Sequence, residues 1–163
     1  MFAGLIHRDI KPANILMESG SERAIVSDFG LARVADDASM TRTGIIAGTP
    51  QYMSPEQAAG DSIDERSDLF SLGCVLYACC TGTSPFAGQS VLGVIRRVAE
   101  ANPTAIRQRN PEIAPWLERL IAKLMAKSPA DRFQSASEVA RVLKTEMAYA
   151  QSPTRLPTPN RSW

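Results

Sequence analysis

Four residues near the start of this 163-residue chain carry side chains that could act on a charged substrate. Asp9 offers a carboxylate and Lys11 a compact positive charge. Asn14 and Asp28 offer hard oxygen atoms of the kind Mg²⁺ prefers and shares with nucleotide phosphates. Taken singly, none is informative. An Asp-x-Lys pair is usually solvated on a surface, and an Asp two residues before Gly30 is most often a turn residue. The order of the residues changes this reading, because Asp28 follows the apolar run Ala24-Ile25-Val26 that would hold it in place. Other chemistries have less support. The chain has one histidine, His7, and its cysteines, Cys74, Cys79 and Cys80, form no Cys-x-x-Cys pair. A Cys/His metal site is therefore not expected, and the thiols read as reduced core residues.

Positioning these side chains requires a scaffold, and the pattern supplies one. Two short apolar segments, 15–17 and 24–27, flank the polar Glu18-Ser19-Gly20-Ser21-Glu22 and predict a hairpin. Residues 29–53 are rich in Gly, Thr, Asp and Ser without clear periodicity, too long for a plain connection, so the segment is expected to be functional or disordered. Ser54-Pro55-Glu56-Gln57 combines an N-cap, a first-turn proline and the Gln of a capping box, predicting a short helix. Residues 67–81 are apolar nearly all round and stop at Gly82, which predicts a helix buried on every side. Trp116, Leu117, Leu120, Ile121, Leu124 and Met125 recur every three or four residues, predicting an amphipathic helix ended by Ser128-Pro129. Ser135-Ala136-Ser137-Glu138 opens another helix with a second capping box, and 89–101 reads as a weaker surface helix. The Pro-containing tail 151–163 cannot bury enough surface to order itself and is expected to be disordered.

His7-Arg8-Asp9-Ile10-Lys11-Pro12-Ala13-Asn14 matches the pattern H-R-D-x-x-x-x-N, and Asp28-Phe29-Gly30 follows in the order that pattern requires. With these motifs the chain resembles the larger lobe of a serine/threonine protein kinase. The run Gly48-Thr49-Pro50-Gln51-Tyr52-Met53-Ser54-Pro55-Glu56-Gln57 is similar to the bacterial members of that family. The resemblance covers about 3–144 and implies a mainly α, kinase-like fold with a small β-hairpin, as a domain over 1–150 and a tail over 151–163. It implies ATP and Mg²⁺ as cofactors and proteins as substrates. Asp9 would accept or orient the proton of the substrate hydroxyl, Lys11 would steady the transferred phosphate, and Asn14 and Asp28 would hold the metal. Thr49 resembles the threonine that helps place the substrate hydroxyl. Arg8, beside Asp9, would pair with a phosphothreonine, for which Thr41 and Thr43 are candidates unless they are simply solvated loop residues. Glu56 and Arg132 resemble a buried ion pair of architectural role, Asp68 a residue that hydrogen-bonds the catalytic-loop backbone, and His7 a packed support of that loop.

The charge balance, 18 Lys and Arg against 17 Asp and Glu, and the absence of a Lys/Arg run argue against nucleic-acid binding. The longest apolar stretch, 72–80, falls well short of the ~20 residues that span a bilayer. Neither a basic leader nor a signal-peptide core is present at the start, so a cytoplasmic location is expected. A complete kinase also needs a glycine-rich loop over the phosphates, a strand-borne lysine and a helix-borne glutamate. The chain contains no G-x-G-x-x-G, so the smaller lobe is expected to be absent and the fragment inactive alone. The alternative is a non-catalytic lobe that serves as a protein-interaction module.

Overall fold

The computed structural model describes residues 6–21, 23–28, 50–152, 159 and 163. Strands β1 (Ile15–Met17) and β2 (Ala24–Val26) form an antiparallel pair in the register Ile15↔Val26, Leu16↔Ile25, Met17↔Ala24. The reversal is closed by Glu18 N–H donating to the Arg23 carbonyl at 3.0 Å, with Gly20 at φ 80° supplying a left-handed position. Helices follow: α1 (Pro55–Ala59), α2 (Glu65–Thr81), α3 (Val91–Glu100), α4 (Ile106–Arg109), α5 (Pro115–Leu124) and α6 (Ala136–Gln151). Short 3₁₀ turns occupy Pro12–Asn14, Pro50–Tyr52 and Pro129–Asp131. The mainly α body with one small hairpin is the expected architecture.

Helix α2 is the central element. It begins at Asp64, whose carboxylate accepts the Arg66 N–H, and ends at Gly82 in the left-handed region. Leu69, Phe70, Cys74 and Tyr77 join Phe86, Val98, Leu120, Ile121, Leu124 and Phe133 in one core. Gly73 lets α5 approach closely, since a Cβ there would lie 2.8 Å from Met125 Cγ and 2.9 Å from Leu124 Cβ. The helix is not buried on every side, however. Its last turn emerges from the core, leaving Cys79 exposed and Cys80 half-buried, so only Cys74 is a core thiol, and burial pushes its pKa up.

One helix end and one helix cap differ from the sequence reading. Helix α5 stops at Leu124, ahead of Ser128-Pro129, with the Met125 N–H on the Ile121 carbonyl and the Ala126 N–H on the Lys123 carbonyl, and the carbonyls of Ala126 and Lys127, which have no partner within the helix, accept N–H groups from Arg132. At α6 the second capping box forms only by half. Ser135 Oγ accepts the Glu138 N–H at 3.2 Å, but the Glu138 carboxylate takes the N–H of Gln134 at 2.8 Å rather than that of Ser135. The box at Ser54 is complete. Within the tail expected to be disordered, 153–158 and 160–162 lie outside the described residues, while Trp163 packs on Phe133 with ring centroids 5.9 Å apart.

Candidate active site

The site is built on a strained piece of backbone. Arg8 has φ 66°, a left-handed conformation that non-glycine residues rarely adopt and that persists only where neighbours hold it. Here it is gripped from two sides. Asp68, in the first turn of α2, accepts the His7 N–H at 2.7 Å on Oδ2 and the Arg8 N–H at 2.8 Å on Oδ1. Gln57 Nε2 donates to the Arg8 carbonyl at 3.0 Å, while the same side chain's Oε1 closes the α1 capping box. Burial raises the Asp68 pKa, and the two backbone N–H groups pull in the opposite direction. Both carboxylate oxygens are used, so Asp68→Asn must set an NH₂ against a backbone donor. We expect this variant to lose about 1–3 kcal/mol in urea unfolding. A loss within error of zero would show that the loop is held without Asp68.

His7 is buried beneath this backbone. Its Nδ1 accepts the Asp9 N–H at 3.3 Å and its Nε2 lies 3.1 Å from the Ser27 carbonyl, which is the geometry of a neutral ring protonated on Nε2. The 3₁₀ turn Pro12–Asn14 then folds the chain back, with Asn14 N–H on the Lys11 carbonyl at 3.0 Å. As a result three side chains converge. Lys11 Nζ lies 2.7 Å from Asp9 Oδ2, and Asn14 Nδ2 donates to the same oxygen at 3.1 Å and to the Asp9 carbonyl at 2.8 Å.

Ser27 joins this cluster to the hairpin. Its N–H and Oγ both donate to the Asn14 carbonyl, at 2.9 and 3.3 Å, so Asp28 is tethered next to Asn14. Asp28 is exposed, with φ 51°. The fit of this pair to Mg²⁺ follows from the donor set. Asn14 directs its Nδ2 to Asp9, which leaves its carboxamide oxygen as a ligand, and Asp28 supplies a carboxylate. Mg²⁺ is commonly held by one or two protein oxygens and completed by phosphate and water.

Farther back, Glu56 and Arg132 form a bidentate pair at 2.7 and 2.8 Å. Ser67 Oγ adds a hydrogen bond to Glu56 Oε1 at 2.6 Å. Burial pushes the Glu56 carboxyl up, but the bonds from Arg132 and Ser67 and the guanidinium charge outweigh it, lowering the pKa to about 2. Of the residues singled out in the sequence, the structure brings Asp9, Lys11 and Asn14 together, links Asp28 to Asn14 through the adjoining Ser27, and sets His7, Arg8 and Asp68 beside them. Thr41, Thr43 and Thr49 lie outside the described residues, as do Phe29 and Gly30. Ser27, Ser67 and the second bond of Gln57 were missed. Ser27 had no signal beyond its place at the end of an apolar run, and Gln57 registered only as a cap.

The sequence pattern of the protein kinase domain matches residues 2–144. The chain belongs to the protein kinase family. It is 47% identical over 137 residues to the serine/threonine-protein kinase PknB of Mycobacterium leprae, covering 83% of this chain and 22% of that protein. It is 45% identical over 138 residues to PknB of Mycobacterium tuberculosis, with the same coverage of 83% and 22%. A probable serine/threonine-protein kinase of Corynebacterium efficiens is 44% identical over 148 residues, 87% of this chain and 22% of that protein. The chain thus spans about a fifth of the length of these curated relatives.

Proposed function

We propose that this chain forms the catalytic and substrate-facing part of a serine/threonine protein kinase, which moves the γ-phosphoryl group of ATP to a Ser or Thr hydroxyl of a protein. The observation that carries this reading is the convergence of Lys11 and Asn14 on one oxygen of Asp9. It leaves the other carboxylate oxygen of Asp9 to receive the hydroxyl proton, with a positive charge next to it for the phosphoryl group. Asn14 and Asp28 would hold Mg²⁺, which when bound offsets the negative charge of the nucleotide. Thr49 would help to place the hydroxyl, and Arg8 would pair with phosphate on Thr41 or Thr43. Glu56 and Arg132 would tie α1, at the end of the substrate-facing segment, to the later helices.

Leu16, Met17, Ile25 and Val26 are exposed on the hairpin beside this cluster. Leu16 and Ile25 lie on one face of the hairpin and Met17 and Val26 on the other, and these uncovered apolar side chains support a nucleotide covered by a second lobe. The 163-residue chain alone would then be inactive or nearly so. No helix among the described residues is long and apolar enough to cross a membrane, and ATP use fits a cytoplasmic site of action. To test the reading, the chain is joined behind a glycine-rich lobe and supplied with labelled ATP and a basic protein. We expect Mg²⁺-dependent phosphoserine and phosphothreonine without phosphotyrosine, and a loss of at least about tenfold in Asp28→Asn. Transfer by Asp28→Asn equal to the parent would remove its metal role. No transfer by the joined parent would favour the interaction module.

A further inference from the structure

The loop after α2, helix α3 and the segment that runs into α4 enclose a cleft of about 440 Å³ away from the Asp9 cluster. Its polar lining comes from Thr83, Ser84, Arg97, Asn102, Thr104 and Arg109, and no acidic residue lines it. The two arginines arrive from different helices and are held in place. Arg109 Nη1 donates to Thr83 Oγ1 at 2.8 Å, and Arg97 Nη1 donates to the Ala87 carbonyl. A guanidinium has five N–H donors, and each of these has committed one of them. Neither is paired with a carboxylate among the described residues. The adjacent Arg96 differs, pairing with Glu100 at 3.0 Å.

We propose that this cleft binds a phosphorylated serine or threonine side chain on a protein. Two guanidinium groups, each anchored by one hydrogen bond and lining the same cleft as the Thr83 and Ser84 hydroxyls, match a dianionic phosphoryl group, which takes several charge-assisted hydrogen bonds at once. The cavity is much larger than that group alone needs. Pro85, Ala87 and Pro103 in its wall offer apolar contact for the residues on either side, which favours a phosphopeptide over free phosphate. The cleft also touches the path of the substrate-facing segment, since Ser84 Oγ reaches the Gln51 carbonyl at 3.5 Å in the turn that leads into α1. Its use, the docking of a protein that already carries phosphate, rests on the kinase reading above, whereas the binding itself does not.

The test is fluorescence polarisation of the 163-residue chain with a labelled phosphoserine peptide, its unphosphorylated twin as control and inorganic phosphate as competitor. The phosphopeptide should bind at least about tenfold tighter than its twin, and Arg97→Met and Arg109→Met should each weaken it by about tenfold. Arg96→Met should leave it unchanged. All three arginines are exposed, so these variants should fold like the parent. Equal binding of both peptides, or full affinity in Arg97→Met and Arg109→Met, would overturn the site. Inorganic phosphate displacing the probe as well as the free phosphopeptide does would overturn its assignment to a phosphoprotein. Asp9→Asn should keep the affinity in this chain while losing transfer in the chain joined to a glycine-rich lobe, so failure of the cleft and failure of the kinase reading give different results. Loss of peptide binding in Asp9→Asn would place the peptide at the active site and overturn the proposal.

Discussion

Replacing Arg132 by methionine is expected to destabilise the chain by about 3–5 kcal/mol, the largest loss we anticipate for any single substitution. Arg132 is only 2% exposed and all five of its N–H donors are engaged. Two go to the Glu56 carboxylate, and the others go to the carbonyls of Ala126, Arg66 and Lys127. Its guanidinium also lies 5.0 Å from the centroid of the Phe70 ring. Removing it strands the buried Glu56 carboxylate and three carbonyls together. The double variant Glu56→Leu/Arg132→Met removes the stranded charge and should recover part of the loss. It should not reach the parent, because the three carbonyls still lack their donor. Acid should act through the same pair. The Glu56 pKa is lowered from 4.5 to about 2 on folding, so its contribution is present above pH 4.5 and fades as pH falls through 2, amounting to about 3 kcal/mol. Urea unfolding at neutral pH and at pH 3 measures both effects. A single-variant loss below about 1 kcal/mol would mean that the pair is no more than a surface contact.

What could be read from the sequence divides along a physical line. The roles of Asp9, Lys11 and Asn14 were read through the family pattern, and a local 3₁₀ turn over Pro12–Asn14 suffices to bring the three together. The α1 cap and the Gly82 stop are equally local, and both formed as the residue types require. Contacts to backbone carbonyls leave no trace in residue types. Nothing in the sequence marks the Arg8 carbonyl as the partner of Gln57, the Asn14 carbonyl as the anchor of Ser27, or the Ala126 and Lys127 carbonyls after α5 as acceptors for Arg132. The half-formed cap of α6 was misread because a neighbouring donor, the Gln134 N–H, took the Glu138 carboxylate from the local pattern. The distant pairs Asp68 with His7 and Glu56 with Arg132 were legible only through the family resemblance, because charge patterning alone does not choose partners about 60 residues or more apart.

Asp9→Asn, in the chain joined to a glycine-rich lobe, is expected to reduce phosphoryl transfer by about 10²–10⁴-fold, the range a positioned general base contributes. The substitution is sterically mild. Lys11 Nζ and Asn14 Nδ2 both approach the same oxygen, Oδ2, so an asparagine that places its carbonyl oxygen there keeps both contacts. What it loses is the negative charge and the basic oxygen on the other side, where an NH₂ would now face the substrate hydroxyl and could only donate. The loss should therefore appear in kcat, with little change in the KM for ATP, because the proposed nucleotide ligands Asn14 and Asp28 stay in place. Stability should shift by no more than about 0.5 kcal/mol, as for other substitutions that strand no buried group. Asp9 is part-exposed, with 44% of its side chain open to solvent, so water can solvate the amide. A steady-state comparison with the parent separates the possibilities. An unchanged kcat would remove Asp9 from the chemistry, whereas a raised KM for ATP with kcat intact would make Asp9 part of nucleotide binding rather than the acceptor of the hydroxyl proton.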